Sequence, residues 1–156
     1  MSLPDKLRSL GITLPVVSGP FGAYVPARRS GGLVFVAGQL PMKDGKLLAT
    51  GPVPSRCPID AAREAARQCV INGLAAVRSA GVDLNALTGV VRVGAFVNSD
   101  TGFTEQPKVA NAASELLLDL FGDPGRHARA AVGVNTLPLD AAVEIEFVFE
   151  VRSASL

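Results

Sequence analysis

The chain has 156 residues, 48% hydrophobic and 19% charged, with a formal net charge of +1. That balance suits a single domain with a real core and excludes a disordered chain. No Lys/Arg cluster forms a stripe, and one tyrosine with no tryptophan leaves dedicated nucleic-acid binding with little support.

Met1 to Leu10 is polar and amphipathic, lacking the apolar segment and small-residue cleavage site of a secretory signal. No apolar run approaches the roughly 18 residues of a membrane-spanning helix. Cys57 and Cys69 are too few for a disulfide framework and wrongly spaced for a redox or zinc CxxC motif. Cys69 also falls on the apolar face of an expected helix, where a thiol acts as a small hydrophobe. These features predict a cytoplasmic protein with reduced thiols and no membrane partner.

Taken in order, residues 1–20 read as an N-terminal helix (Pro4 to Gly11, with Leu7 and Leu10 as its stripe) and an extended arm. Residues 21–156 read as one domain. Ala23 to Arg29 suggests a strand that Pro26 demotes to an edge or bulge. Ser30-Gly31-Gly32 makes a tight turn into Leu33 to Ala37, an apolar run ending at Gly38-Gln39. Asp44-Gly45 marks a short hairpin or loop.

From Pro58 to Ala80, Ala62, Ala65, Ala66, Cys69, Gly73, Ala76, Val77 and Ala80 recur at helical spacing. Gly81 stands where a C′ glycine ends a helix. So small a face predicts close packing on a sheet. Val90 to Val97 alternates as a strand. A second helix follows Thr104, a candidate N-cap, with Val109, Ala112, Ala113, Leu116 and Leu120 inward and Gly122 and Pro124 as stops.

The closing stretch, Pro124 to Val151, reads as two alternating strands around a Leu-Pro turn. Ala128, Ala130, Val132 and Val134 share one face of the first; His127, Arg129, Ala131 and Asn135 share the other. In the second, Val143, Ile145, Phe147, Phe149 and Val151 oppose Glu144, Glu146 and Glu150. If the two strands pair, Arg129 and the glutamates lie together on one non-core face. The order β-β-α-β-α-β-β then predicts an α+β sandwich, one mostly antiparallel sheet with both helices on one face. Its uncovered face, carrying Gly94, Phe96 and Val148, is a candidate for contacts between copies.

Metal chemistry finds no ligand set, since one histidine and two separated cysteines cannot build a usual zinc site. No G-x-S-x-G elbow occurs. Gly38 to Lys46 departs from a phosphate loop in glycine spacing, and Leu47 stands in place of its Ser/Thr. Arg129 has two readings: an exposed strand arginine paired with a glutamate, or a planar fork gripping a carboxylate with small neighbours giving it room. His127, with its near-neutral pKa, divides between surface and function.

The blocks Gly22-Ala23-Tyr24-Val25, Phe35-Val36-Ala37-Gly38-Gln39-Leu40-Pro41, Phe96-Val97, Asn111 four residues before Glu115, and His127 to Pro138 followed by Val143-Glu144-Ile145-Glu146 resemble the RidA/YjgF family (endoribonuclease L-PSP-like) in order and spacing. The resemblance implies a chorismate-mutase-like fold of the bacillus type, a homotrimer with clefts between subunits, and cofactor-independent hydrolysis of reactive 2-imino or enamine acids to 2-oxo acids. Carried over by position, Arg129 grips a small carboxylate ligand and Glu144 orients the attacking water. Tyr24, Asn111 and His127 line the cleft, with Gly38 and the Ala131 backbone positioning polar groups. Ala130-Ala131 stand where the family carries Ser-Cys. With the longer N-terminus and His127, they resemble a divergent branch, the "YjgF-like 1" type. They keep open a non-catalytic carboxylate binder or sensor on the same scaffold. Ribonuclease activity, a label in the family, is the less favoured reading because phosphate binding depends on positive charge.

Overall fold

The order of the strands decides which side of the sheet each of its polar residues occupies. The computed structural model describes residues 1–19 and 21–153. Pro20, the expected boundary between arm and domain, lies outside the described residues, as do 154–156 at the end of the expected domain. β1 (Ala27–Ser30), β2 (Leu33–Gln39), β5 (Leu87–Asn98), β6 (Ala128–Val134) and β7 (Val143–Val151) form one sheet in the order β1-β2-β7-β5-β6. β3 (Met42–Lys43) and β4 (Lys46–Leu47) make a separate hairpin whose turn is Asp44-Gly45. The α-helices are α1 (Leu3–Ser9), α2 (Ile59–Ser79) and α3 (Gln106–Phe121).

The sheet is antiparallel except between β5 and β6. α2 packs on β2 and β7, α3 on β5 and β6, and the two helices lie against each other. The fold is therefore the α+β sandwich that the sequence leads one to expect. Alanine-rich α2 sits close to the sheet: a Cβ added to Gly73 would stand 2.9 Å from two ring carbons of Phe147. Phe147 stacks on Phe149 at 5.6 Å, and Phe149 on Phe121 at 6.0 Å, filling the layer between sheet and helices.

Several local expectations shift. Strand β1 starts only after Pro26, which has no N–H for a ladder but whose carbonyl accepts from the Ala37 N–H at 2.9 Å. In α1 the buried pair is Leu3 and Leu7, while Leu10 is exposed as the C-cap; Ser2 and Asp5 form a capping box. Thr104 does not cap α3, because Glu105 occupies that position and makes no side-chain capping bond.

The main correction concerns β6. It does not pair with β7. The α3 crossover returns the chain so that β6 runs parallel to β5 at the sheet edge, and β7 enters between β5 and β2. Register then decides the faces. Val93 is opposite both Arg129 and Phe147, so Arg129 lies on the helix side. Phe96 is opposite Val132 and Glu144, and Gly94 is opposite Ala130 and Glu146, so those six residues share the open face. The alternation in each strand is as expected, but in β6 the side taken for the core is the outer one: Val132 is 45% exposed. At an edge strand the helix layer runs out, so small or polar residues are tolerated on either side.

Candidate functional site

Asn111 and Ser114 lie three residues apart on α3 and so project from one face of the helix, beside the edge strand β6. Arg129 reaches them from β6. Its Nη1 donates to Asn111 Oδ1 at 2.8 Å and to Ser114 Oγ at 3.1 Å. A guanidinium has five N–H donors; two are used here, and Nε and Nη2 bond no other group among the described residues. Together with Glu115, Leu118, Gly125, Arg126 and His127, these residues line a cleft of about 380 Å³.

His127, just before β6, closes the cluster. Its Nδ1 lies 2.6 Å from the Gly125 carbonyl and its Nε2 2.9 Å from Ser114 Oγ. A carbonyl only accepts, so Nδ1 carries the hydrogen and Nε2 the lone pair, to which the serine hydroxyl donates. The imidazole pKa stands below its ordinary value. Burial is the main cause and the Arg129 charge adds to it, while the Gly125 carbonyl pulls the other way. The neutral ring is thus the form the cleft favours. Glu115 at the rim is engaged by Arg63 at 3.1 Å, and Arg126 by Asp123 at 3.5 Å.

The remaining expected site residues stand elsewhere. Glu144 on β7 faces the open side of the sheet, away from Arg129. A Cβ at Gly38 would collide with its carboxylate, and one at Gly94 would lie 2.8 Å from Glu146 Oε1. Two glycines on the flanking strands therefore make room for this pair of acids. The Glu144 pKa is raised, by burial first and by Glu146 second. Beside it on the open face is a second depression of about 420 Å³, lined by Val25, Arg28, Phe35, Arg92, Glu146 and Val148 among others. Tyr24 is 61% exposed near β1, its ring 5.8 Å from Phe21. β1 and β6 are opposite edges, roughly 19 Å apart at ordinary inter-strand spacing. Within one chain the structure thus unites Asn111, His127 and Arg129, while Ala131, two residues along β6 on the same side of the sheet, packs against the core and does not line the cleft. The structure unites Gly38 and Glu144 separately and leaves Tyr24 apart. Among the described residues no three His, Cys, Asp or Glu side chains converge to hold a metal.

Residues 5–151 match the model of the family described as "YjgF/chorismate mutase-like, putative endoribonuclease". The chain belongs to the YjgF family. It is 41% identical to Protein TCP17 of Trypanosoma cruzi, over 95% of this chain and 93% of that one. It is 31% identical to a 2-iminobutanoate/2-iminopropanoate deaminase of Dermatophagoides farinae, over 86% and 91% of the two chains. The crystal structure of Atu1372 from Agrobacterium tumefaciens, a protein described as having unknown function, superposes with a TM-score of 0.88 at 43% identity, covering 96% of this chain and 93% of that one.

One residue of the cluster escaped the sequence reading. Ser114 is a mid-helix serine with no motif around it. Its only signal is the i, i+3 spacing from Asn111, which places both on one helix face. That spacing gains meaning only once β6 is known to run beside α3.

Proposed function

We propose that this protein hydrolyses small reactive 2-imino or enamine acids to 2-oxo acids and ammonia, with Arg129 holding the substrate carboxylate. The observation that carries the reading is the division of the Arg129 donors. Nη1 is fixed by Asn111 and Ser114, which leaves the Nε/Nη2 edge, a ready bidentate fork for a carboxylate, in the cleft. The deaminase named among the relatives supports the substrate class. Fixing the carboxylate places the adjacent C=N carbon for water attack by positioning rather than by covalent catalysis.

The reading includes a homotrimer with its clefts between subunits. The support is the open face, where Phe35 is 47% and Val132 45% exposed and where Glu144 has no route to its own Arg129. A neighbouring copy laying this face on the β6–α3 edge brings Glu144, Gly38 and Tyr24 to the cleft, with Glu144 orienting the water. The cytoplasm suits two free, buried thiols, and no helix among the described residues is long and apolar enough to cross a membrane.

A second reading is a carboxylate binder or sensor without turnover. Ala130 and Ala131 favour it, since neither supplies a hydroxyl or thiol beside Arg129. Ribonuclease activity has less support: among the described residues the cleft is lined by two arginines, Arg126 and Arg129, with the acidic Glu115 beside them. Purified protein added to a dehydratase generating 2-iminobutanoate separates the two leading readings. Faster 2-oxobutanoate release, abolished in Arg129→Ala, is expected. Binding of 2-oxobutanoate through Arg129 without acceleration would establish the binder instead.

A further inference from the structure

We propose that Ser114 and His127 form a proton relay serving the Arg129 cleft, with Ser114 exchanging protons with the reacting water and His127 storing the proton. The inference rests on the imine-hydrolysis reading and adds to it a base supplied by the same chain as Arg129.

The direction of every hydrogen bond in the cluster follows from the partners. The Gly125 carbonyl fixes the Nδ1–H tautomer of His127 (2.6 Å), so Nε2 is the acceptor facing Ser114 (2.9 Å). The serine hydroxyl spends its one hydrogen on Nε2. One of its two lone pairs takes the Arg129 Nη1–H at 3.1 Å. The second lone pair is left for a hydrogen from the cleft, which Ser114 lines together with Arg129 and His127. A mid-helix serine held between a guanidinium and an oriented, neutral imidazole is poised to take a proton on one side and release one on the other.

The step balances with water as the only co-reactant. Starting from the iminium acid, the water oxygen bonds the C2 carbon as the C=N π pair moves to nitrogen. One water proton passes to Ser114 Oγ while the serine proton moves to His127 Nε2, leaving a neutral carbinolamine and a charged imidazole. The proton then returns through Ser114 to the carbinolamine nitrogen. The C–N bond breaks with its pair leaving on ammonia, C=O forms, and the hydroxyl proton goes to ammonia as ammonium. His127 ends neutral, as it began.

The charged groups around the imidazole are Arg129 on β6, Arg126 preceding it and Glu115 on α3. Burial and the Arg129 charge both oppose a charged ring, while the Gly125 carbonyl favours it; Arg126 is paired with Asp123. His127 is also the only histidine in the chain. Its ring nitrogens can therefore be followed by NMR without assignment.

The test compares wild type, His127→Gln, Ser114→Ala and Arg129→Ala in the 2-iminobutanoate assay from pH 5 to 9. 2-Oxobutanoate affinity is measured in parallel, and folding is checked by circular dichroism. His127→Gln and Ser114→Ala are each expected to lower kcat on the order of 100-fold, the scale of general acid–base catalysis, while 2-oxobutanoate affinity should fall less in His127→Gln, which leaves the Arg129 contacts in place, than in Arg129→Ala. The acidic limb of the wild-type rate profile should follow the histidine titration seen by NMR and vanish in His127→Gln. Full kcat in both folded variants, or an acidic limb that persists in His127→Gln, would overturn the relay while leaving imine hydrolysis standing. A wild type that accelerates nothing would overturn both.

Discussion

Glu144 sits half-buried beside Glu146, and both burial and that neighbouring charge raise its pKa above the ordinary 4.5. The consequence for stability has a definite sign. Between the ordinary value and the raised one, the folded protein binds more protons than the unfolded chain, so stability falls as pH rises through that window. Glu144→Gln removes the titration. It is expected to melt above wild type at pH 7 and to lose that advantage at pH 4, where the wild-type carboxyl is protonated in both states. Melting curves at the two pH values decide it, and an equal difference at both would mean that packing, not charge, sets the effect. Gly38 sharpens the argument, because the room it leaves is taken by this carboxylate. An acid accommodated at a stability cost is the pattern expected of a functional residue.

At the scale of elements, α2 is the part of the fold that the sequence shows most plainly. Its stripe of alanines predicts close approach to a sheet, and Gly73 is where the approach is closest. Gly73→Ala gains up to about 1 kcal/mol in helix propensity but drives a methyl into the Phe147 ring, an overpacking that costs about 1–3 kcal/mol. Net destabilisation of about 1 kcal/mol is expected, a fall in Tm of about 2–4 °C for a chain of this size; a rise in Tm would show that Phe147 yields freely. β7 was as legible as α2, because its apolar residues alternate without a break and are buried. β6 was not. Both of its faces carry alanines, so hydrophobicity could not say which side met the helices. The choice between pairing with β7 and pairing with β5 depends on contacts distant in sequence. The same gap hid part of the local site: Arg129, Asn111 and His127 were legible through the family blocks, but Ser114 on α3 was not, and the mistaken pairing put Glu144 on the same face as Arg129.

For the whole molecule, the split between Arg129 and Glu144 turns the proposed homotrimer into a question about chemistry. A single chain offers Arg129 on the helix side of one edge strand and Glu144 on the open face of a central strand. If a working cleft needs both, two copies must supply it, and light scattering should give about three times the 16.1 kDa chain mass. Mixing then distinguishes shared clefts from private ones. Arg129→Ala and Glu144→Gln trimers are each expected to be slow, since every cleft lacks one group. When the two chains are co-expressed and assort at random into closed rings, a chain with an intact Arg129 meets a chain with an intact Glu144 in about one cleft in four across the whole mixture, homotrimers included. About a quarter of wild-type activity should therefore return, although neither chain alone carries both groups. Heterotrimers confirmed by mass but no faster than their parents would show that Arg129 and Glu144 do not serve one cleft across a subunit boundary. The water would then have to be activated from within the chain that carries Arg129, where Ser114 and His127 already stand beside it.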